Sequence, residues 1–254
     1  MNRRDEMGER EVRILEMLTA EGRAEVAELA RRLGVSQVTV RKDLDALDRR
    51  GLIVRAHGSA RLRSAEDIAG RVAHHYEAKL RIARAAARLV APGETVMIES
   101  GSCCALLAEA LVSSEREISI ITNSAYIAGR VRAFPGARVI LLGGAYQNNA
   151  QVTVGPILAQ AAQNFMVDNL FIGTDGYAAG SGFTNSDHMR AQAVRDMARQ
   201  AAGVVVLTES EKFARSGVVP LRIDERVRAV VTDEGIPEGA RESLQARGVE
   251  VITP

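Results

Sequence analysis

Residues 26–50 read VAELARRLGVSQVTVRKDLDALDRR, and their spacing decides how the N-terminal part of the chain folds. Val26, Ala27, Leu29, Ala30 and Leu33 recur at helical intervals, and Gly34 stops the run where a residue free to adopt positive φ is favoured. After Val35, Ser36 offers a hydroxyl to cap a following helix. In that helix Val40, Leu44 and Leu47 fall at i, i+4 and i+7 and share one stripe. Gln37, Thr39, Arg41 and Lys42 then crowd the opposite side of its first turns. Two helices joined by a short glycine-containing turn, the second opening on polar and basic side chains, form the pattern of a helix-turn-helix. Ser36, Gln37, Thr39, Arg41 and Lys42 are the residues expected near DNA, Arg41 with the geometry to donate bidentately to guanine and Gln37 to adenine. A three-helix bundle whose polar face merely solvates fits the same spacing.

Upstream, Val12, Leu15 and Leu18, with Ile14 beside them, predict a helix over 9–21 that ends at Gly22. Downstream, Gly51 ends the capped helix. Leu52 to Arg55 reads as a short strand, His57, Gly58 and Ser59 as a turn, and Ala60 and Leu62 as the return, which together make a wing. The chain's net charge of +1 hides an asymmetry: residues 31–63 hold nine Lys and Arg against three Asp, a local +6 of the size that a phosphate backbone attracts.

From Tyr76 onward the pattern changes to short apolar runs alternating with helical stretches. Strands are expected at 95–99, 118–122, 138–142, 169–173, 203–208, 228–232 and 249–252, and helices near 77–90, 102–112, 124–133, 156–164, 187–201 and 238–246. This alternation predicts an α/β fold with a mainly parallel sheet covered on both faces. The expected division is a winged helix-turn-helix over 1–62, a linker over 63–75 in which a helix is possible, and an α/β domain over 76–254. No apolar run reaches 18 residues and no secretory leader is legible, so a cytoplasmic protein with no membrane partner is expected. Cys103 and Cys104 are adjacent, a poor arrangement for a disulfide or a zinc site, and read as small packing residues. His74, His75 and Glu77 raise a metal site, but adjacent helical histidines point about 100° apart, so neither a metal nor any other cofactor is assigned.

Polar signals of the second domain recur just past strand ends, where ligands of open α/β sheets bind. Glu99-Ser100-Gly101-Ser102-Cys103-Cys104 runs from a strand through glycine into a helix. Backbone N–H groups there suit an anion, and a capped junction with no ligand reads equally well. Further strand ends bring Thr122-Asn123, Gly143-Gly144, Gly155, Asp175-Gly176 and Lys212, each weak alone. Together they supply donors for phosphate and hydroxyl oxygens and a carboxylate that accepts from sugar hydroxyls.

The stretch 9–60, with its VSxxTVRxDLxxL and RxHG signatures, closely resembles the DNA-binding segment of the DeoR family of bacterial regulators. The resemblance continues through LVapGEtVmIesGS, iITNS, VIlLGGayq, FIGtDGy, vvLtesEKFa and vvTDEG. It implies that Arg41 lies in the recognition helix, that Arg55, His57 and Gly58 lie in the wing, and that Asp43 is structural. It also implies a C-terminal domain similar in fold to ribose-5-phosphate isomerase, which senses phosphorylated sugars. By position, the effector contacts carried over are Gly101, Ser102, Cys103, Thr122, Asn123, Asp175, Gly176, Thr184 and Lys212. Ser59 replaces a frequent glycine, Cys103 and Cys104 replace threonines, and Glu99 and Glu209 replace aspartates, changes that bear on which effector binds.

The expected function is therefore a DNA-binding regulator, a repressor of carbohydrate-metabolism genes, controlled by a small sugar or polyol phosphate. Its expected form is a homodimer or homotetramer on double-stranded operator DNA. The alternative is a sugar-phosphate isomerase-like enzyme with an accessory helical domain, for which Asp175 or Glu209 would be the base.

Overall fold

A computed structural model describes residues 7–114 and 117–254. The chain separates into two compact units, Met1–Glu77 and Ala78–Pro254. In the first, helix α1 (Glu9–Glu21) ends at Gly22, whose φ is +73°. Strand β1 (Arg23–Glu25) follows, then α2 (Val26–Leu33), α3 (Gln37–Arg49), β2 (Ile53–Ala56) and β3 (Ser59–Leu62). Ile14, Leu15, Leu18, Leu29, Val40, Leu44 and Leu47 have no exposed surface, so the apolar stripes read along the three helices meet in one core. Each such side chain contributes roughly 1.5–3 kcal/mol by leaving water.

The wing is a sheet of three strands in the order β1-β3-β2, all antiparallel, and β1 was not legible in the sequence. It has three residues, and its pairing partner lies more than thirty positions away. Helix α4 (Ile68–Ala73) occupies the stretch read as a linker, with Asp67 accepting from the Ala69 N–H at its start.

The second unit carries, in chain order, α5 (Tyr76–Ala87), which begins at the boundary, β4 (Thr95–Ile98), α6 (Ser102–Ser113), β5 (Ser119–Thr122), α7 (Ala125–Val131), β6 (Arg138–Leu141), β7 (Ala145–Gln147), β8 (Val152–Val154), α8 (Pro156–Ala162) and β9 (Val167–Ile172). After these come β10 (Gly176–Ala178), β11 (Gly182–Asn185), α9 (His188–Ala198), β12 (Ala201–Leu207), β13 (Val219–Pro220), β14 (Val227–Val231), α10 (Glu238–Gln245) and β15 (Glu250–Ile252). Seven strands form one parallel sheet in the order β15-β14-β12-β9-β4-β5-β6. Val204, Val205 and Val206 of β12 are all fully buried, as a strand covered on both faces requires.

All seven strands of this sheet match apolar runs read from the sequence. The structure adds a β7-β8 hairpin and a small antiparallel sheet, β10-β11-β13, both built on loops that leave the C-terminal ends of the parallel strands.

Candidate functional site

Helix α3 begins as its sequence dictates. The Ser36 hydroxyl accepts from the Thr39 backbone N–H at 3.1 Å and lies 2.9 Å from the Thr39 hydroxyl, so these two side chains are engaged in the cap. Gln37, Val38, Arg41 and Lys42 are exposed on the same turns. Arg41 donates to the Gln37 side-chain oxygen at 3.2 Å, a contact both residues can exchange for base edges. Val38, 59% exposed, was missed by sequence reasoning; an uncovered β-branched side chain on such a helix suits a thymine methyl.

Asp43 takes the structural part expected of it: buried on α3, it accepts from Arg10 of α1 through two hydrogen bonds of 2.5 and 2.8 Å. In the wing, Arg55 is exposed and paired with Asp45 of α3, while His57 and Gly58 stand at the tip. Gly58 has a φ of +71°, which glycine adopts without strain, and its carbonyl accepts from Val26 N–H at 2.8 Å, tying the wing to the start of α2.

The polar groups of the second unit gather at the C-terminal ends of the parallel strands. Past β4, the Glu99 carboxylate accepts from the Ser100 hydroxyl at 2.6 Å and from the Gly173 N–H, past β9, at 3.3 Å. A Cβ on Gly101 would lie 2.9 Å from the Gly173 Cα, so the two strand-end loops meet glycine to glycine. Ser102 opens α6, a helix of 12 residues whose first N–H groups carry the positive end of its dipole. Past β5, Asn123 donates from its amide nitrogen to the Thr153 carbonyl at 3.1 Å. Its side-chain oxygen is buried with no hydrogen-bond partner. A buried acceptor without a donor is costly unless a water or a bound molecule supplies one.

Past β9, the Asp175 carboxylate accepts from the Ser186 N–H at 2.8 Å and hydroxyl at 2.6 Å, with Arg190 of α9 3.9 Å away. Arg190 also donates to the Ser186 hydroxyl at 3.2 Å. Beside them Asp187 caps α9 and accepts from Gln147 of β7. Burial alone would raise the Asp187 carboxyl, but the Arg190 backbone N–H and the Gln147 amide outweigh it and hold it below the usual carboxylate range. Gln147, Ser186, Asp187 and Arg190 were missed because no spacing in the sequence brings 147 to 187. Only the Ser186-Asp187 pair ahead of a predicted helix carried a signal, that of a cap.

Several residues expected at the site already hold contacts within the fold. Cys103 and Cys104 are buried on α6, and burial pushes both thiols well above their ordinary range, so they stay neutral. Thr122 is fully buried and its hydroxyl accepts from Ser124 N–H at 3.0 Å. Thr184, on β11, accepts from Gly217 N–H at 2.7 Å, and Gly176 pairs with it in β10, packed against the Arg215 carbonyl. Lys212 lies on a 3-10 turn over 210–214, 3.4 Å from Glu211. The two carboxylates that an enzyme reading would use as a base are both committed: Asp175 to Ser186, and Glu209 to Lys79 in a buried pair of 3.0 Å.

Residues 10–66 match the model of the DeoR-like helix-turn-helix domain, and residues 74–234 match that of the DeoR C terminal sensor domain. A putative aga operon transcriptional repressor of Escherichia coli O157:H7 is 30% identical over 250 residues, covering 96% of this chain and 93% of the relative. The HTH-type transcriptional regulator GolR of Listeria innocua is 28% identical over 247 residues, 96% of this chain and 97% of that one. Among solved structures, ribose 5-phosphate isomerase A of Methanocaldococcus jannaschii aligns over 55% of each chain at 18% identity and a TM-score of 0.42. The two domain matches and the near full-length relatives place the protein among regulators rather than enzymes: the chain belongs to the DeoR family of bacterial transcriptional regulators.

Proposed function

We propose that this chain is a cytoplasmic repressor of a carbohydrate-metabolism operon, in which α3 and the wing hold operator DNA and a small anionic metabolite controls that hold. The observation that carries the DNA half is the face of α3. Gln37, Val38, Arg41 and Lys42 stand exposed at the start of a capped helix, and Arg41 donates to the Gln37 side-chain oxygen. Arg41 and Gln37 read base edges, Lys42 and the wing residues Arg55 and His57 hold phosphates, and Gly58 lets the wing tip approach the backbone. Ser36 and Thr39 set the helix start. Residues 1–62 form the reading head, 63–75 the connection and 76–254 the sensor.

In the sensor, the metabolite's anionic group, a sugar or polyol phosphate, sits on the N–H groups of Gly101 and Ser102 and of the first turn of α6. The unpartnered oxygen of Asn123 accepts from a sugar hydroxyl, Asp175 takes the hydroxyl end, and Arg190 and Lys212 supply positive charge. The names of the two relatives, an aga operon repressor and GolR, support control of a sugar operon. A single helix-turn-helix covers little DNA, so the working form is a homodimer or homotetramer reading paired half-sites.

The test is a DNA-binding titration on the DNA flanking the chain's own gene, repeated with a panel of sugar and polyol phosphates. A saturable, sequence-specific complex whose midpoint moves with one of them is expected. Binding no tighter than to unrelated DNA sinks the first half, and a midpoint indifferent to the whole panel sinks the second.

A further inference from the structure

The two edges of the parallel sheet are finished differently. Strand β15 is three residues long and opens on the exposed Glu250, and a charge at a short edge deters another strand from pairing. Strand β6 at the other edge has Arg138 at its start and then Val139, Ile140 and Leu141. Ile140 is 42% exposed and Leu141 46%. Successive side chains of a strand point to opposite faces, so β6 is uncovered on both faces at once. A helix or loop laid on one face would shelter only one of the two, whereas a strand that continues the sheet brings neighbours to both.

The uncovered apolar surface extends beyond the strand. Thr153 of β8 donates its hydroxyl to the carbonyl of Leu142, directly after β6, and pairs with Tyr146 of β7, which is 53% exposed. Ile157 of α8 is 61% exposed, and its Cγ2 lies 3.6 Å from the place a Cβ on Gly143 would take. These contacts hold β7, β8 and α8 next to the end of β6, and from 139 to 167 the sequence holds no Asp, Glu, Lys, Arg or His. In a chain that is 26% charged, such a stretch has the composition of an interface centre, where charges are depleted.

We propose that the β6 edge, with Tyr146 and Ile157 beside it, is where a second copy of this chain docks, the two β6 strands pairing antiparallel across a two-fold axis. The occupant follows from charge. A patch without charges offers nothing to complement a charged partner, yet meets its own copy with no like-charge repulsion. An axis at Ile140 sets each Ile140 opposite its own copy and each Val139 opposite a Leu141, so the two Arg138 residues lie about 13 Å apart along the strands at the rim. The seven-stranded sheet then runs on through the axis into its copy.

The full chain supplies its own reporter, because its two cysteines, Cys103 and Cys104, are buried. Ile140→Cys should form a disulfide-linked dimer on mild oxidation, while Val218→Cys, at an 84% exposed position before β13 and outside the 139–167 stretch, should not. Leu141→Asp and Ile157→Glu should raise the dimer dissociation constant by about a hundredfold, since each places a like charge on both sides of the axis. Sedimentation equilibrium reads the mass and thermal melting checks the fold. A wild-type oligomer that survives both charge substitutions, or that fails to cross-link through I140C, overturns the proposal. So does a monomeric wild type, including one whose patch is protected from hydrogen exchange by the chain's own first unit. If a charge variant does not fold, the I140C cross-link decides alone, since it adds no charge.

Discussion

The polar side chains of α3 and those at the strand ends of the sensor serve opposite kinds of construction. On α3, Gln37, Arg41 and Lys42 stand outside the packed stripe of Val40, Leu44 and Leu47, and Arg41 donates to its neighbour Gln37. At the strand ends, Glu99 holds Ser100 and Gly173, Asp175 holds Ser186, Thr184 holds Gly217 and Glu209 holds Lys79. A reading surface needs groups that the fold does not use, because DNA supplies their partners. A sensing site needs groups that the fold already orients, because a ligand must choose between arrangements of the whole domain. Changes on α3 should therefore alter recognition and spare stability, while changes at the strand ends should alter both.

The largest effect is expected at the buried Lys79–Glu209 pair, whose side chains are 3% and 7% exposed. Glu209→Ala leaves the ammonium buried without its carboxylate and should destabilise the second unit by about 3–5 kcal/mol. The paired replacement Lys79→Met with Glu209→Leu should recover most of that, since two apolar side chains need no ionic partner. Chemical denaturation of the three proteins checks this. A Glu209→Ala protein as stable as the parent would remove the contrast between the two regions at its strongest point.

Next comes Gly101→Val, which on sequence grounds looks like a clean way to block an anion. The glycine-to-glycine contact with Gly173 says otherwise: the new Cβ would sit 2.9 Å from a backbone Cα, and the two loops must separate. A loss of about 1–3 kcal/mol of stability is expected alongside any loss of effector response. Asp175→Asn, which keeps an acceptor for Ser186, is the sharper probe. It should weaken the effector midpoint while moving the melting temperature less than Gly101→Val does.

Arg41→Ala should do the reverse, costing about 1–3 kcal/mol of discrimination between operator and a site changed at one guanine. Its melting temperature should stay that of the parent. Competition binding with the two DNA duplexes gives the first quantity, and a melt gives the second. A variant that melts earlier yet discriminates as well would reverse the roles assigned to the α3 face.

The same contrast explains what could be read in advance. Helix α3, its cap at Ser36 and its buried stripe are legible because every signal lies within four residues of its partner, and the β4 to β15 strands of the sheet are legible as unbroken apolar runs. Strand β1, the β7-β8 hairpin and the β10-β11-β13 sheet are built of strands two to four residues long, too short to show a period. For β1 and β13 the partners also lie far along the chain, Arg23 with Arg61 and Asn185 with Val219. The residues proposed for the effector divide along the same line. Gly101, Ser102 and Asp175 stand at readable strand ends, whereas Arg190 and Gln147 reach Asp175 and Asp187 only through the fold.

The smallest expected effect sets one helix cap from each region side by side. Ser36 caps α3 with a neutral hydroxyl, and Asp187 caps α9 with a carboxylate that accepts from Arg190 N–H at 2.8 Å. Near pH 7, Ser36→Ala and Asp187→Ala should each cost about 1 kcal/mol, the usual worth of such a cap. Acid should separate them. A carboxyl whose folded-state pKa lies below its unfolded-state value stabilises the fold at every pH above the unfolded-state value. That contribution is lost as the pH falls through the folded-state one. Asp187 is depressed in this sense, its backbone and Gln147 hydrogen bonds outweighing the opposing effect of burial. The gap in stability between the parent and Asp187→Ala should therefore hold down to about pH 4 and shrink below it. The gap for Ser36→Ala should not respond to pH, because a hydroxyl does not titrate there. Denaturation midpoints of the three proteins from pH 7 to about pH 3 measure both gaps. A gap for Asp187→Ala that is flat across that range would mean that the carboxylate contributes as a neutral cap does, and that the charge at the α9 start has no share in holding the strand-end cluster together.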